Sequence, residues 1–120
     1  MELLIDKRKE LSFSYVELKA IRIGDDINAW IYGGEKPHIG CTVQSIPRPS
    51  LTGDGSVSVT SSVLNVVGHK DDLICKTVAE ALSRRYGAVT ICSGGFHMDH
   101  ITMGQIVEVL QAVEEMVNES

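Results

Sequence analysis

Residues 88–102, AVTICSGGFHMDHIT, join a predicted strand to a predicted helix through a turn that contains two histidines. The apolar run at 88–92 predicts a short buried strand. The two glycines after it let the backbone turn sharply and approach a ligand closely. His97, Asp99 and His100 follow within four residues, so three side chains that bind metals or protons lie together in one turn.

Helical periodicity flanks this segment on both sides. Upstream, residues 70–85 have apolar side chains at helical spacing and end in Arg84 and Arg85, which favour the C-terminal end of a helix dipole. Downstream, Thr102-x-x-Gln105 is a capping box. The last helix then has an apolar stripe that consists of Met103, Ile106, Leu110, Val113 and Val117.

The first half of the chain alternates instead with the period of a strand. Residues 1–10 predict a short helix or an ordered tail, and residues 47–55, rich in proline and glycine, predict a mobile lid or an intersubunit arm. Strands are predicted at 13–23 (with a bulge near Glu17 and Leu18), 27–32, 41–46 and 56–67. The order ββββαβα indicates an α+β fold with a mostly antiparallel sheet and helices packed on one face.

Composition limits the function. A length of 120 residues predicts one domain, 1–120, and a net charge of −5 argues against nucleic-acid binding. No apolar run is long enough to span a membrane and no signal peptide is visible, so we expect a cytoplasmic protein. The three cysteines (Cys41, Cys75 and Cys92) lie in apolar runs and are expected to be buried thiols. Sheet edges on so small a domain predict a homo-oligomer.

All four histidines lie in glycine-flanked turns, GGEKPHIG (33–40), GHKDD (68–72) and GGFHMDH (94–100). Imidazole is a common metal ligand, and a loop pair needs a third ligand from elsewhere. We therefore predict that His38, His97 and His100 bind a divalent metal, with Asp99 as a further ligand or as the acceptor that orients a histidine. Each histidine alone is more often a surface residue.

A second interpretation of the same turns is an anion site. Lys36 and Lys70 each lie close to a histidine, Arg48 lies in the proline-rich segment, and Gly68-His69-Lys70 precedes a helix, whose N-terminus attracts phosphate. No Walker A or G-x-G-x-x-G sequence is present, and solvated lysines explain these positions equally well.

The three turns, with GGFHMDHIT (94–102) followed by Gln105 and Ile106, resemble the LpdD-like family of prenylated-flavin chaperones. The resemblance implies an accessory protein that binds reduced prenylated FMN, made by a flavin prenyltransferase, and protects it or delivers it to a UbiD-type decarboxylase. It also implies a divalent metal at the histidines that bridges the cofactor phosphate. The implied cofactor-binding residues are Lys36, Pro37, His38, Arg48, His69, Lys70, Gly95, Phe96 and Asp99.

Aromatic residues make up only 5% of the chain, which departs from what a flavin site usually needs. Only Trp30, Tyr32 and Phe96 lie near the motif turns. Two alternatives remain. One is a small metal-dependent enzyme, a lyase or hydrolase, with His97 or His100 as general base. The other is a structural subunit of a larger decarboxylase complex.

Overall fold

The computed structural model describes residues 2–49, 53, 55–66 and 72–119. They form six strands and two helices: β1 (Glu2–Glu10), β2 (Tyr15–Ile23), β3 (Asp26–Gly34), β4 (Cys41–Pro49), β5 (Val57–Asn65), α1 (Asp72–Tyr86), β6 (Thr90–His97) and α2 (Met103–Asn118). The predicted α+β class is confirmed. The prediction of a helix or tail at 1–10 is wrong, because the described residues of this segment, 2–10, form a strand that pairs with β2.

The strands form one sheet in the order β1-β2-β3-β6-β4-β5. Every neighbouring pair is antiparallel except β3 and β6, which are parallel. The last strand in sequence is therefore inserted between β3 and β4. This insertion separates two strands that are neighbours in the chain, and the residues between them must cross the end of β6.

Both helices pack on the same side of the sheet, as predicted. Helix α1 contacts β3 to β6, helix α2 contacts β1 and β2, and the two helices contact each other. Strand alternation sends one set of side chains toward them. The buried sheet residues on that side include Ile5, Val16, Leu18, Ala20, Ile27, Ala29, Ile31, Cys41, Val43 and Cys92. The opposite side carries neither helix, and its side chains are mostly polar or aromatic, with exposed aliphatic residues such as Ile46 and Ile91 among them.

The cysteines are free and buried, as expected. Cys75 of α1 lies against the carbonyls of Cys41 and Gly94, with its Sγ 3.8 Å from each oxygen. Burial raises the pKa of the Cys92 thiol well above its ordinary value, and contact with Cys75 raises it further. The Cys92 thiol is therefore protonated at neutral pH, and all three cysteines are core side chains.

Three local predictions differ from the structure. Strand β2 pairs regularly with both neighbours at Glu17 and Leu18, and the irregular register lies in β1 between Leu3 and Ile5. The first three residues of the predicted lid, 47–49, belong instead to β4, which continues through Pro49 opposite β5. Residues 50–52 and 54 of that lid lie outside the described part of the chain.

The largest local difference concerns the glycine turn. Gly94 and Gly95 do not end the strand, because β6 continues through them to His97. A Cβ atom on Gly94 would lie 1.7 Å from the carbonyl oxygen of Ile31 on β3. Glycine at this position therefore allows two parallel strands to approach, and does not form a turn.

Helix α2 begins as predicted. Thr102 accepts a hydrogen bond from the backbone N–H of Gln105, and the Gln105 side chain accepts one from the backbone N–H of Thr102. Two of the N–H groups that a helix start leaves unpaired are thus satisfied. Neither described helix is long and apolar enough to cross a bilayer.

Candidate functional site

The loop between β3 and β4 brings the first predicted turn onto the second. Strand β3 ends at Gly34 and β4 begins at Cys41, with β6 between them, so residues 35–40 pass over the end of β6. Two backbone hydrogen bonds hold this crossing, from Glu35 N to His97 O and from Gly40 N to Gly94 O, both 2.8 Å long. The loop position is therefore determined by the sheet.

His38 and His97 meet at this crossing. Their ring centroids are 6.2 Å apart, and the rings are nearly perpendicular at 81°. Nδ1 of His38 lies 2.9 Å from the carbonyl oxygen of Lys36. Because a carbonyl oxygen only accepts, Nδ1 is the donor in this hydrogen bond. The predicted convergence of these two turns is therefore present in the structure.

Asp99 belongs to the same group. Its Oδ1 lies 2.9 Å from Nε2 of His97. This hydrogen bond, together with the positive charge of Lys36 and the imidazole of His100, lowers the pKa of the Asp99 carboxyl group. Asp99 therefore carries a negative charge at neutral pH and fixes the orientation of the His97 ring.

His100 has a strained backbone. Its φ of 58° makes it the one described non-glycine residue with a positive φ, a conformation that is uncommon outside glycine and that clusters at functional sites. However, no three His, Cys, Asp or Glu side chains within the described residues converge as a metal ion would require. The predicted ligand set of His38, His97 and His100 is therefore not assembled in this structure.

A shallow cavity lies next to His38, on the side of the sheet that carries neither helix. It has a volume of about 220 Å³. Two aromatic side chains of β3, Trp30 and Tyr32, form one wall. The remaining lining residues are Pro37, His38, Ile39, Ser93 and Gly94. The cavity thus combines an aromatic surface, an imidazole and the close-packed glycine of β6.

Tyr32 is held by a charged network across the neighbouring strands. Its hydroxyl group donates a 2.7 Å hydrogen bond to Oε2 of Glu17, and Oε1 of Glu17 accepts a 3.1 Å hydrogen bond from Arg8. Burial and this carboxylate raise the pKa of Tyr32 to about 12. The phenol remains neutral, and its ring keeps one position in the cavity wall.

Several predicted cofactor residues lie elsewhere. Phe96 points toward the core and packs edge-on against Phe13, with ring centroids 6.0 Å apart. Arg48 donates to Thr60 at the far end of β4, seven residues from the strand start at Cys41, or roughly 23 Å along the strand. Gly95 is buried in β6 opposite Tyr32. His69 and Lys70 lie outside the described residues.

Sequence reasoning left Trp30, Tyr32, Ile39 and Ser93 out of the predicted site. A signal for the two aromatic residues was present, since alternation in 27–32 places them on the side opposite to the apolar residues. Ser93 had no such signal, because it borders the cavity only through the insertion of β6 beside β3.

Comparison with known proteins gives one family and one fold. A sequence model of the prenylated flavin chaperone LpdD-like domain matches residues 12–120. Among solved structures, a chain from the crystal structure of a chaperone complex for yeast 20S proteasome assembly has a TM-score of 0.56, with 14% identity over 99% of this chain and 94% of that chain. At that identity the likeness shows a shared fold alone. A search of curated proteins finds no match.

Proposed function

The chain belongs to the LpdD-like family of prenylated flavin chaperones, and on that premise we propose that it binds reduced prenylated FMN in the cavity beside Trp30 and Tyr32. The cofactor comes from a flavin prenyltransferase and is handed to a UbiD-type decarboxylase. The observation that carries the proposal is the position of this aromatic wall next to the His38–His97 pair.

The two ends of the cavity suit the two ends of the cofactor. An isoalloxazine ring is flat and largely apolar, and it gains from contact with aromatic side chains. Trp30 and Tyr32 offer such a surface. The FMN phosphate needs positively charged or N–H donors. His38 lines the cavity and supplies such a group, and His97 next to it and Lys36 in the same loop supply two more beside the aromatic wall.

The size of the cavity supports a role for this protein as a carrier of the cofactor. Pockets that enclose a small ligand measure roughly 300–1,000 Å³, whereas this cavity measures about 220 Å³. One chain therefore covers only part of the flavin and leaves the rest accessible. A protein that must transfer its ligand to a second protein benefits from such partial enclosure, since the acceptor can contact the ligand before release.

A metal fits this arrangement less well than a phosphate. Two imidazoles converge, and within the described residues no third side chain completes a metal-binding group. Our proposal therefore assigns Lys36, His38 and His97 to direct recognition of the phosphate. Metal binding by His38, His97 and His100 stays a prediction, which the experiments below test separately.

Anaerobic titration with reduced prenylated FMN tests the proposal. The protein is filtered after titration, and the retained fraction is identified by its flavin spectrum. We expect close to one flavin per chain for the wild type and a loss of at least tenfold in affinity for Trp30→Ala. Ile46→Ala is the control, because Ile46 is an exposed apolar residue of the same sheet that does not line the cavity. No retention by the wild type would contradict the proposal.

The alternative of a small enzyme has one observation in its favour. The hydrogen bond between His97 and Asp99 is the arrangement that orients a general base. A metal-dependent lyase or hydrolase that used His97 as its base would consume its substrate. Its His97→Gln variant would lose turnover but would not necessarily lose substrate binding. Under the chaperone proposal, the flavin recovered from the retained fraction is chemically unchanged.

A further inference from the structure

The two edge strands of the sheet have opposite character. Strand β1, ELLIDKRKE, has six charged residues among nine, whereas β5, VSVTSSVLN, has none. Charged side chains on an edge strand prevent further strands from pairing with it. Strand β1 has this protection, and β5 lacks it. Strand β5 also lacks proline, which would interrupt a ladder of backbone hydrogen bonds.

Strand β5 is exposed as well as uncharged. Val57, Val63 and Leu64 have 45%, 39% and 74% of their surface accessible. Strand β4 pairs with β5 along all nine residues on one side, and on the other side β5 is the last strand of the sheet among the described residues. The outward-facing N–H and C=O groups of alternate residues along this nine-residue strand are therefore available for a further strand.

The sequence of β5 is complementary to itself when two copies run antiparallel about Ser61. Val59 then lies opposite the partner's Val63, and Thr60 opposite the partner's Ser62. Like residues thus face each other in the central part of the strand, whereas the outer pairs join Ser58 to Leu64 and Val57 to Asn65. Cross-strand pairs of β-branched and hydroxyl side chains stabilise antiparallel sheets. Such symmetry favours a second copy of this chain over an unrelated strand.

We propose that β5 pairs with β5 of a second copy about a two-fold axis at Ser61, so that two six-stranded sheets become one sheet of twelve strands. In an antiparallel pair of strands, side chains that lie opposite each other project from the same side of the sheet. All four helices of the dimer therefore lie on one side of the joined sheet. The axis passes close to Glu80, whose carboxylate accepts a 2.6 Å hydrogen bond from Ser61. Arg84, 3.8 Å from Glu80, offsets the like charges that meet there.

Cysteine cross-linking tests the register. The native thiols are buried, so only introduced thiols react at the surface. Thr60→Cys and Ser62→Cys are made separately, with different affinity tags, and mixed. Residues 60 and 62 face each other in the proposed dimer at about 4.5–5.5 Å between Cβ atoms, within reach of a disulfide. We expect a cross-link between the two variants, and little within either variant alone, where the thiols are offset by two residues.

The protected edge provides the matched control. Asp6→Cys and Arg8→Cys have the same spacing on β1, and their mixture is expected to stay uncross-linked. Equal cross-linking at β1 and β5 would overturn the proposal, since it would indicate random collision. Cross-linking within Thr60→Cys alone, and not in the mixture, would overturn the register.

Light scattering tests the dimer without introduced thiols. The chain has a mass of 13.1 kDa, so the wild type is expected at about twice that mass. The double variant Ser62→Lys/Leu64→Lys places charges on the exposed face of β5 and is expected to halve the mass, with a thermal melt by circular dichroism that stays cooperative. A monomeric wild type, or a dimer that the lysines leave intact, would overturn the proposal. Neither measurement involves flavin, so the result does not depend on the proposed function.

Discussion

His38 and His97 lie 59 positions apart in the chain, and their ring centroids lie 6.2 Å apart in the fold. Their contact depends on three features that act together. Strand β6 is inserted beside β3, the loop after β3 crosses its end, and the backbone of Glu35 donates to the carbonyl of His97. The pair is thus built into the sheet, and substitutions at these two rings are expected to change ligand binding more than folding.

Alanine variants of the histidines test metal binding. His38, His97 and His100 lie outside the hydrophobic core, so we expect changes of less than about 1 kcal/mol in the free energy of unfolding for each substitution. Metal content after dialysis against zinc or manganese is measured by mass spectrometry. If the three histidines form a metal site on ligand binding, each variant loses the metal that the wild type retains in the presence of FMN. Equal metal content in all proteins would contradict the predicted ligand set.

Asp99→Asn separates direct recognition of phosphate from recognition through a metal. Asparagine keeps an acceptor for His97 and removes a negative charge that the structure places beside Lys36 and His97. With direct recognition, we expect affinity for FMN to rise about two- to fivefold, in line with a surface charge interaction. Riboflavin, which lacks the phosphate, is the control ligand and should bind equally to both proteins. Weaker FMN binding by the variant would instead favour a metal.

Glu17→Gln tests how the aromatic wall is held. Burial and the Glu17 carboxylate raise the pKa of Tyr32 to about 12, so the variant should lower that pKa while burial keeps it above its ordinary value near 10. An absorbance titration of phenolate measures this change. Tyr15→Phe, made in both backgrounds, removes a second tyrosine that could be confused with Tyr32.

The same pair predicts a stability profile with pH. The pKa of Tyr32 is raised by folding, so its contribution is complete below pH 10 and is lost as pH rises toward 12. The pKa of Glu17 is lowered, chiefly by the Tyr32 hydrogen bond, so its contribution is present above its ordinary value of 4.5 and is lost as pH falls below it. The urea midpoint of Glu17→Gln should therefore vary less with pH than that of the wild type, in both the acidic and the alkaline range. An unchanged profile would show that the hydrogen bond contributes nothing.

Gly94→Ala should damage the fold, because the new methyl group would lie 1.7 Å from the Ile31 carbonyl and force β3 and β6 apart. We expect a loss of at least about 3 kcal/mol in the free energy of unfolding. Gly87→Ala is the matched control. Gly87 also has a positive φ of 58° but no atom within 4 Å of the added carbon, so its cost should be about 1–2 kcal/mol, from backbone strain alone. Similar losses for both variants would contradict the packing argument.

The elements with a clear periodic signal could be predicted from sequence. Helix α2 has a capping box and helical periodicity, and strand β3 alternates over its length, so both elements were identified correctly. The predicted apolar stripe of α2 is correct only in part, because Met103 and Ile106 are exposed and the buried face consists of Val109, Ala112, Val113, Met116 and Val117. Strand β1 could not be predicted in this way, because its charged residues resemble a solvated helix or tail. Its charges have partners on other elements, such as Glu115 of α2 for Lys9, and these contacts exist only in the folded chain.

The candidate site could be predicted only in part, because its local motifs are visible in the sequence but its assembly depends on the folded sheet. Glycine-flanked histidines are visible in the sequence, and two of the turns do meet. Which residues border the resulting cavity depends on strand order, which local patterns do not encode. Phe96 was expected at the cofactor from the family resemblance, yet continuation of β6 turns its ring toward Phe13 and the core.

The insertion of β6 between β3 and β4 also has a consequence for how the chain folds. Strands β1, β2 and β3 can pair successively as hairpins, as can β4 and β5, and each hairpin closes a short loop. The two groups join only when residues 90–97 pair with both. Long-range pairing of this kind is slow, so β6 docking is expected to be the late step. The histidine pair and the cavity form only at that step, so a partly folded chain is not expected to bind ligand.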